Sequence, residues 1–311
     1  MLVHLVRQLV TNMTKKAINN LPKWYKDKTN KYHTILTDDI DSLLSCAILK
    51  EVMGWDIKEV FLLRQVANYS DIPIDVSAKT KNATVTEEIG VDFAKYKGKC
   101  FDNHITRFSD KDYKNEESIN PNLMEDVTKK NYTEKYAGST VLLLWSLYGL
   151  SKDMTDEAMM LLLTIDSSFL GYYDDRYRPY IKHYLVDVLD LPEFYNCIER
   201  HTQEDFRRIR NKYHLSGKIR LENGYLKTNI DIDKINDVLL WETAEVFEIE
   251  LPKEEFFVDK FFMSEIEDIY GLYAECDRDI IKKEQYCHAL TRTNTVNYSI
   301  EIKEKDEVKR L

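Results

Sequence analysis

The residues of this chain best equipped for chemistry are aspartates that close short apolar runs. Leu36-Thr37-Asp38-Asp39-Ile40-Asp41-Ser42 places three carboxylates within four positions. Ile89-Gly90-Val91-Asp92 ends in a fourth, Cys100-Phe101-Asp102-Asn103-His104 sets one beside a histidine, and Leu163-Thr164-Ile165-Asp166 supplies another. Crowded carboxylates repel one another and destabilise a fold unless a cation or a dense set of donors compensates them. Oxygen ligands of this kind suit hard divalent ions, Mg²⁺ or Mn²⁺. Two such ions held about 3.5–4 Å apart by bridging carboxylates can clamp a phosphoryl group and activate a water. The pattern therefore points to phosphate chemistry. Each aspartate read alone is an ordinary turn residue or helix N-cap, and Asp38 reads as the bystander of its group.

These side chains can meet only if their elements share an edge. An apolar run at 33–37 reads as a strand, the acidic turn follows, and helical periodicity over 42–53 ends at Gly54. Val60–Leu63 reads as the next strand, which makes a βαβ unit and a parallel sheet. Further strands are expected at 85–91 and 99–101, and the polar segment 68–84 carries no assignment. Helices are expected over 2–21, 141–148, 155–164, 174–190, 192–212 and 233–247, with strands at 217–220, 256–258 and 298–302. Ligands of a parallel α/β sheet bind at the carboxyl ends of its strands, where these aspartates fall. The expected fold is α/β: a mostly parallel sheet flanked by helices in residues 1–210, and a smaller α+β domain in 211–311.

The chain has 311 residues and a net charge of −10, which argues against a broad basic surface for duplex DNA but leaves short oligonucleotides and nucleotides open. No apolar run reaches the roughly 20 residues needed to cross a bilayer, so no membrane partner and a cytoplasmic location are expected. The five cysteines include no Cys-x-x-Cys pair and read as free thiols. The apolar face of 2–21 serves either as a packing arm or as a homodimer contact.

Taken together, residues 32–175 resemble the DHH phosphoesterase family of RecJ-type exonucleases, nano-RNases, cyclic-dinucleotide phosphodiesterases and family II pyrophosphatases. The resemblance rests on Asp39-x-Asp41-Ser42, the strand-end Asp92, Asp102-Asn103-His104 in place of Asp-His-His, the helix start Gly138-Ser139-Thr140, and Asp166 after an apolar helix. It implies Mn²⁺ or Mg²⁺ held by Asp39, Asp41, Asp92 and Asp166, with Asn103 at a position that normally carries a histidine ligand. It also implies that His104 contacts the scissile phosphate and that Asp102 orients this cluster. Arg107, Ser139, Thr140 and Arg292 are candidate phosphate contacts. For Ser139 the plain alternative is an N-cap, and for Arg292 a solvated surface arginine.

The implied activity is hydrolysis of phosphodiester bonds in single-stranded nucleic acid, short oligonucleotides or signalling nucleotides. Three departures favour an alternative, a nucleotide-binding or interaction protein with weakened catalysis. The ligand expected just before Asp39 is missing, since Ile35 and Thr37 stand there and His33 is displaced. Asn103 replaces a histidine. No Gly-rich loop ending in His follows in the C-terminal portion.

Overall fold

Apolar runs in the first half of the chain become strands buried on both faces, as parallel sheets covered by helices require. The computed structural model describes residues 11–19, 21–66, 73–81, 86–150, 153–243, 248–268 and 285–303. In chain order its elements are α1 (Lys15–Asn19), β1 (Tyr32–Leu36), α2 (Ile40–Met53), β2 (Ile57–Val66), β3 (Pro73–Thr80), β4 (Glu87–Val91), β5 (Cys100–Phe101), β6 (Ser118–Ile119), α3 (Pro121–Met124), α4 (Thr140–Leu147), α5 (Asp156–Thr164), α6 (Arg178–Lys182), α7 (Pro192–Arg200), α8 (Gln203–Lys212), β7 (Ile219–Glu222), β8 (Tyr225–Thr228), α9 (Ile232–Thr243), β9 (Phe256–Asp268), β10 (Gln285–Arg292) and β11 (Thr295–Glu301).

The fold is α/β, built on a nine-stranded sheet of order β10-β11-β9-β3-β2-β1-β4-β5-β6. Strands β2, β1, β4, β5 and β6 run parallel, whereas β3, β9, β11 and β10 add on antiparallel. The sheet is thus mixed rather than mostly parallel. It also runs across the boundary expected near residue 210, because β9 pairs with β3. At its far end β10 curls back onto the loops after β4 and β5. The Leu290 N–H donates to the Ile105 carbonyl at 2.8 Å, and the His288 N–H donates to the Ala94 carbonyl at 3.1 Å.

Local chemistry sets the helices around the site. Asp39 caps α2, and Gly54 ends it in the left-handed region that glycine adopts without strain. Helix α4 is apolar on every side and all of its residues are buried, the behaviour of a helix inside the molecule. One core joins α2, α4, α5 and the buried face of the parallel strands. A second cluster, Ile35, Phe61, Phe93 and Phe262, ties β1, β2 and the loop after β4 to β9.

Several expected elements differ. The span 192–212 is two helices, because Thr202 and Asp205 form a capping box that starts α8 afresh. The span 174–190 holds α6 followed by a π-helical segment, His183–Val188. Strand β3 lies where no strand was expected, although Ile74, Val76 and Ala78 alternate at the two-residue period. The β7–β8 hairpin turns at Asn223-Gly224, both with positive φ, as a two-residue hairpin turn requires. Half of the helix expected over 2–21, residues 2–10 and 20, lies outside the described residues; 15–19 are helical. Cys46, Cys100 and Cys197 are buried free thiols, Cys287 is a partly buried one, and Cys276 lies outside the described residues. Among the described residues no helix is long and apolar enough to cross a membrane.

Candidate metal centre

Three segments at the carboxyl ends of parallel strands, the turn after α5 and the N-terminus of α4 meet at one place. The first turn of α2 brings Asp41, the end of β4 brings Asp92, and the loop after β5 brings Asp102, Asn103 and His104. Asp166 enters from the short turn that follows α5. One oxygen each from Asp41, Asp92 and Asp166 lie within 4.8 Å of one another, and Asp92, Asp102 and His104 form a second such group.

The backbone is shaped to aim these side chains. Asp92 and Asp166 sit at φ of 53° and 52°, a region that aspartate enters more readily than most residues and that recurs at functional sites. The loops are also cross-tied. The Thr37 N–H donates to Ser42 Oγ at 2.8 Å, and that hydroxyl donates to the Val91 carbonyl at 2.8 Å. The turn after β1 is thereby fastened to the end of β4.

Helix α4 presents its N-terminus to a carboxylate of the protein itself. The backbone N–H groups of Thr140 and Val141 donate to Asp41 Oδ2 and Oδ1, each at 2.8 Å, and the Thr140 hydroxyl donates to Asp92 Oδ1 at 3.2 Å. Ser139 is the N-cap, its hydroxyl accepting from the Leu142 N–H. Thr140, a candidate phosphate contact, therefore holds Asp41 and Asp92 instead, and Ser139 takes its alternative role as N-cap. The partial positive charge of the helix start favours an anion there.

Donors alone do not balance the charge. Burial, followed by repulsion from Asp92, Asp166 and Asp39, pushes the Asp41 carboxyl well above its ordinary range despite its two N–H donors. Burial and then Asp39 and Asp166 do the same to Asp92, while burial and then Asp39 raise Asp166. The charged forms of these carboxylates are disfavoured by burial and mutual repulsion, which a bound cation would relieve. Their donor set is all oxygen and fits Mn²⁺ or Mg²⁺.

His104 stands beside them. Its Nδ1 lies 2.7 Å from Asp102 Oδ1, and Asp102 Oδ2 accepts from Asn120 Nδ2 at 2.9 Å. Desolvation works against the charged ring, but Asp102, Asp92 and Asp166 outweigh it and push its pKa up to about 10. Asn103 donates from Nδ2 to the Gly138 carbonyl at 3.0 Å and to Asp166 Oδ2 at 2.7 Å, so its amide steadies a carboxylate.

The remaining candidates are placed elsewhere or otherwise engaged. Asp39 Oδ1 accepts from the Ser42 N–H and Asp39 Oδ2 faces Lys218, so this carboxylate is not among the converging three. Arg107 is buried and donates to Asp126 Oδ1 and the Asp110 carbonyl. Arg292 is exposed at the end of β10, two positions beyond the Leu290 bridge to Ile105. A cavity of about 480 Å³ lined by Leu43, Lys50, Glu250 and Lys253 contains none of the carboxylates described above.

Sequence reading missed Lys218, Asn120 and Asn122. Lys218 reaches the acidic turn from 179 positions away, and nothing in its neighbourhood of sequence announces it. Asn122 Nδ2 donates to the Asn103 and Tyr136 carbonyls, and both asparagines lie in a polar stretch that reads as an ordinary loop. Comparisons of the chain with protein-family models, with curated proteins and with solved structures found no match.

Proposed function

We propose that this protein is a metal-dependent phosphoesterase of the DHH type. Its substrates are phosphodiester bonds in single-stranded nucleic acid, short oligonucleotides or signalling nucleotides. The observation that carries the reading is the convergence of Asp41, Asp92 and Asp166 beside an Asp102-held His104. A bound Mn²⁺ or Mg²⁺ supplies Lewis acidity towards a phosphoryl oxygen and an attacking water. The three carboxylates hold it, with Asn103 and the start of α4 fixing their positions. Protonated His104 stabilises the negative charge that grows on the phosphoryl oxygens, and Asp102 keeps the imidazole oriented and charged.

The test is incubation with Mn²⁺ and 5′-labelled oligonucleotides of graded length, alongside Asp92→Ala. Shortening of the label by the wild type and none by the variant is the expected result; cleavage that survives Asp92→Ala sinks the assignment. A second reading keeps the metal centre but not the turnover. It is favoured by the engagement of Arg107 with Asp126 and by the use of the α4 donors on Asp41. Tight Mn²⁺ binding with no cleavage of linear or cyclic nucleotides identifies that case.

A further inference from the structure

We propose that the Lys218 ammonium takes the place of a second divalent cation beside Asp39, so that the centre binds a single metal ion on Asp41, Asp92 and Asp166. The inference rests on the metal-centre reading above. Lys218 Nζ lies 3.0 Å from Asp38 Oδ1 and 3.2 Å from Asp39 Oδ2, between two carboxylates of the acidic turn. Asp39 Oδ1 accepts from the Ser42 N–H, so the ammonium at Oδ2 stands where a cation would approach this carboxylate.

An exposed lysine that wanders into an ion pair contributes little, because holding it there costs side-chain entropy. Lys218 is placed by its backbone. The Ile219 N–H donates to the Asp38 carbonyl at 2.7 Å, so the chain on one side of the lysine is fastened to the acidic turn itself. On the other side the Gly217 N–H donates to the His214 carbonyl at 2.9 Å. The Thr228 hydroxyl donates to the Lys218 carbonyl at 3.2 Å. Gly217 lets the segment pass closely, since a Cβ there would lie 2.7 Å from Asn229 Oδ1 and 2.8 Å from Ile230 Cγ1.

The ligand positions around Asp39 agree with a lysine rather than a metal. Ile35 is buried in the aromatic cluster with Phe61, Phe93 and Phe262 and offers no donor. Thr37 offers a neutral hydroxyl, a weaker ligand than carboxylate or imidazole. Asn103 turns its amide nitrogen, a donor and not a ligand, towards Asp166 and the Gly138 carbonyl. A positive charge is needed beside Asp38 and Asp39, and the chain supplies it covalently.

The test is calorimetric titration of the full chain with Mn²⁺, with electron paramagnetic resonance to detect coupled Mn²⁺ pairs. Wild type, Lys218→Met, Lys218→Arg and the double variant Lys218→Met/Asp39→Asn are compared, each checked for folding by circular dichroism. One ion per chain is expected in the wild type and in Lys218→Arg. Two ions, with a coupled-pair signal, are expected in Lys218→Met, and the second is lost again in the double variant. Two ions in the wild type overturn the inference while leaving the metal centre standing. A single ion of unchanged affinity in Lys218→Met overturns it as well. No ion in the wild type overturns the metal centre itself, and the inference with it.

Discussion

Asp92 carries a burden that the free protein does not offset. Burial, and then repulsion from Asp39 and Asp166, push its carboxyl well above the ordinary range, and its backbone is held at positive φ. Residues kept in such surroundings trade stability for function. Asp92→Asn removes a repelling charge and keeps an oxygen that can accept from the Thr140 hydroxyl. The expected outcome is a metal-free protein that melts higher at neutral pH, by roughly 2–4 °C per kcal/mol released, together with loss of the Mn²⁺-induced rise in Tm. Differential scanning fluorimetry with and without Mn²⁺ checks both halves. A variant that melts lower than wild type without metal contradicts the electrostatic account. The residue types were legible here: Asp41, Asp92, His104 and Asp166 could be singled out by type and position. The N-cap role of Ser139 was legible too, but the pairing of Asp39 with Lys218 and of Arg107 with Asp126 was not, because those partners are brought by packing rather than by spacing.

The elements act as levers that set those side chains. Ser42, at the start of α2, bridges the Thr37 N–H and the Val91 carbonyl and so locks the acidic turn to the end of β4. Ser42→Ala leaves both buried groups unpaired, at a cost of about 1–3 kcal/mol. Denaturant unfolding measures the loss, and weaker Mn²⁺ binding should accompany it. Strand β3 shows what periodicity alone conceals. Ile74, Val76 and Ala78 alternate as a half-buried strand should, yet Asp75 and Ser77 on the other face are buried too. Asp75 accepts from the Ser299 hydroxyl at 2.6 Å and from the Arg64 N–H at 3.0 Å. Burial still raises its pKa. A carboxyl whose folded pKa is raised binds its proton more tightly in the native state. Stability therefore falls as pH climbs from its unfolded value, about 4, through the raised native value. Asp75→Asn should flatten that decline, read as Tm across a pH series from mild acid to neutral. An unchanged slope rules out Asp75 as its source.

Across the whole molecule, the C-terminal strands complete the sheet that carries the site. Phe262 of β9 packs on Phe61 of β2, with ring centroids 5.1 Å apart, and Phe93, which follows Asp92, packs on Phe61 at 4.7 Å. Truncating a buried phenylalanine typically costs about 3–5 kcal/mol. Phe262→Ala should fall in that range by denaturant unfolding and should weaken Mn²⁺ binding, because the cluster backs the loop that presents Asp92. Sequence alone determined the βαβ start, the buried central strands, the helix that ends at Gly54, the helix that Ser139 caps, and the order of the aspartates that close apolar runs. Those features are written in periodicity, caps and turn residues, which act over a few positions. Tertiary structure decided that β9 joins β3, that the start of α4 is given to Asp41, and that Lys218 answers Asp39. Such pairings join segments far apart in the chain. They are selected by burial and by the requirement that every buried charge find a partner, and no local pattern records that choice.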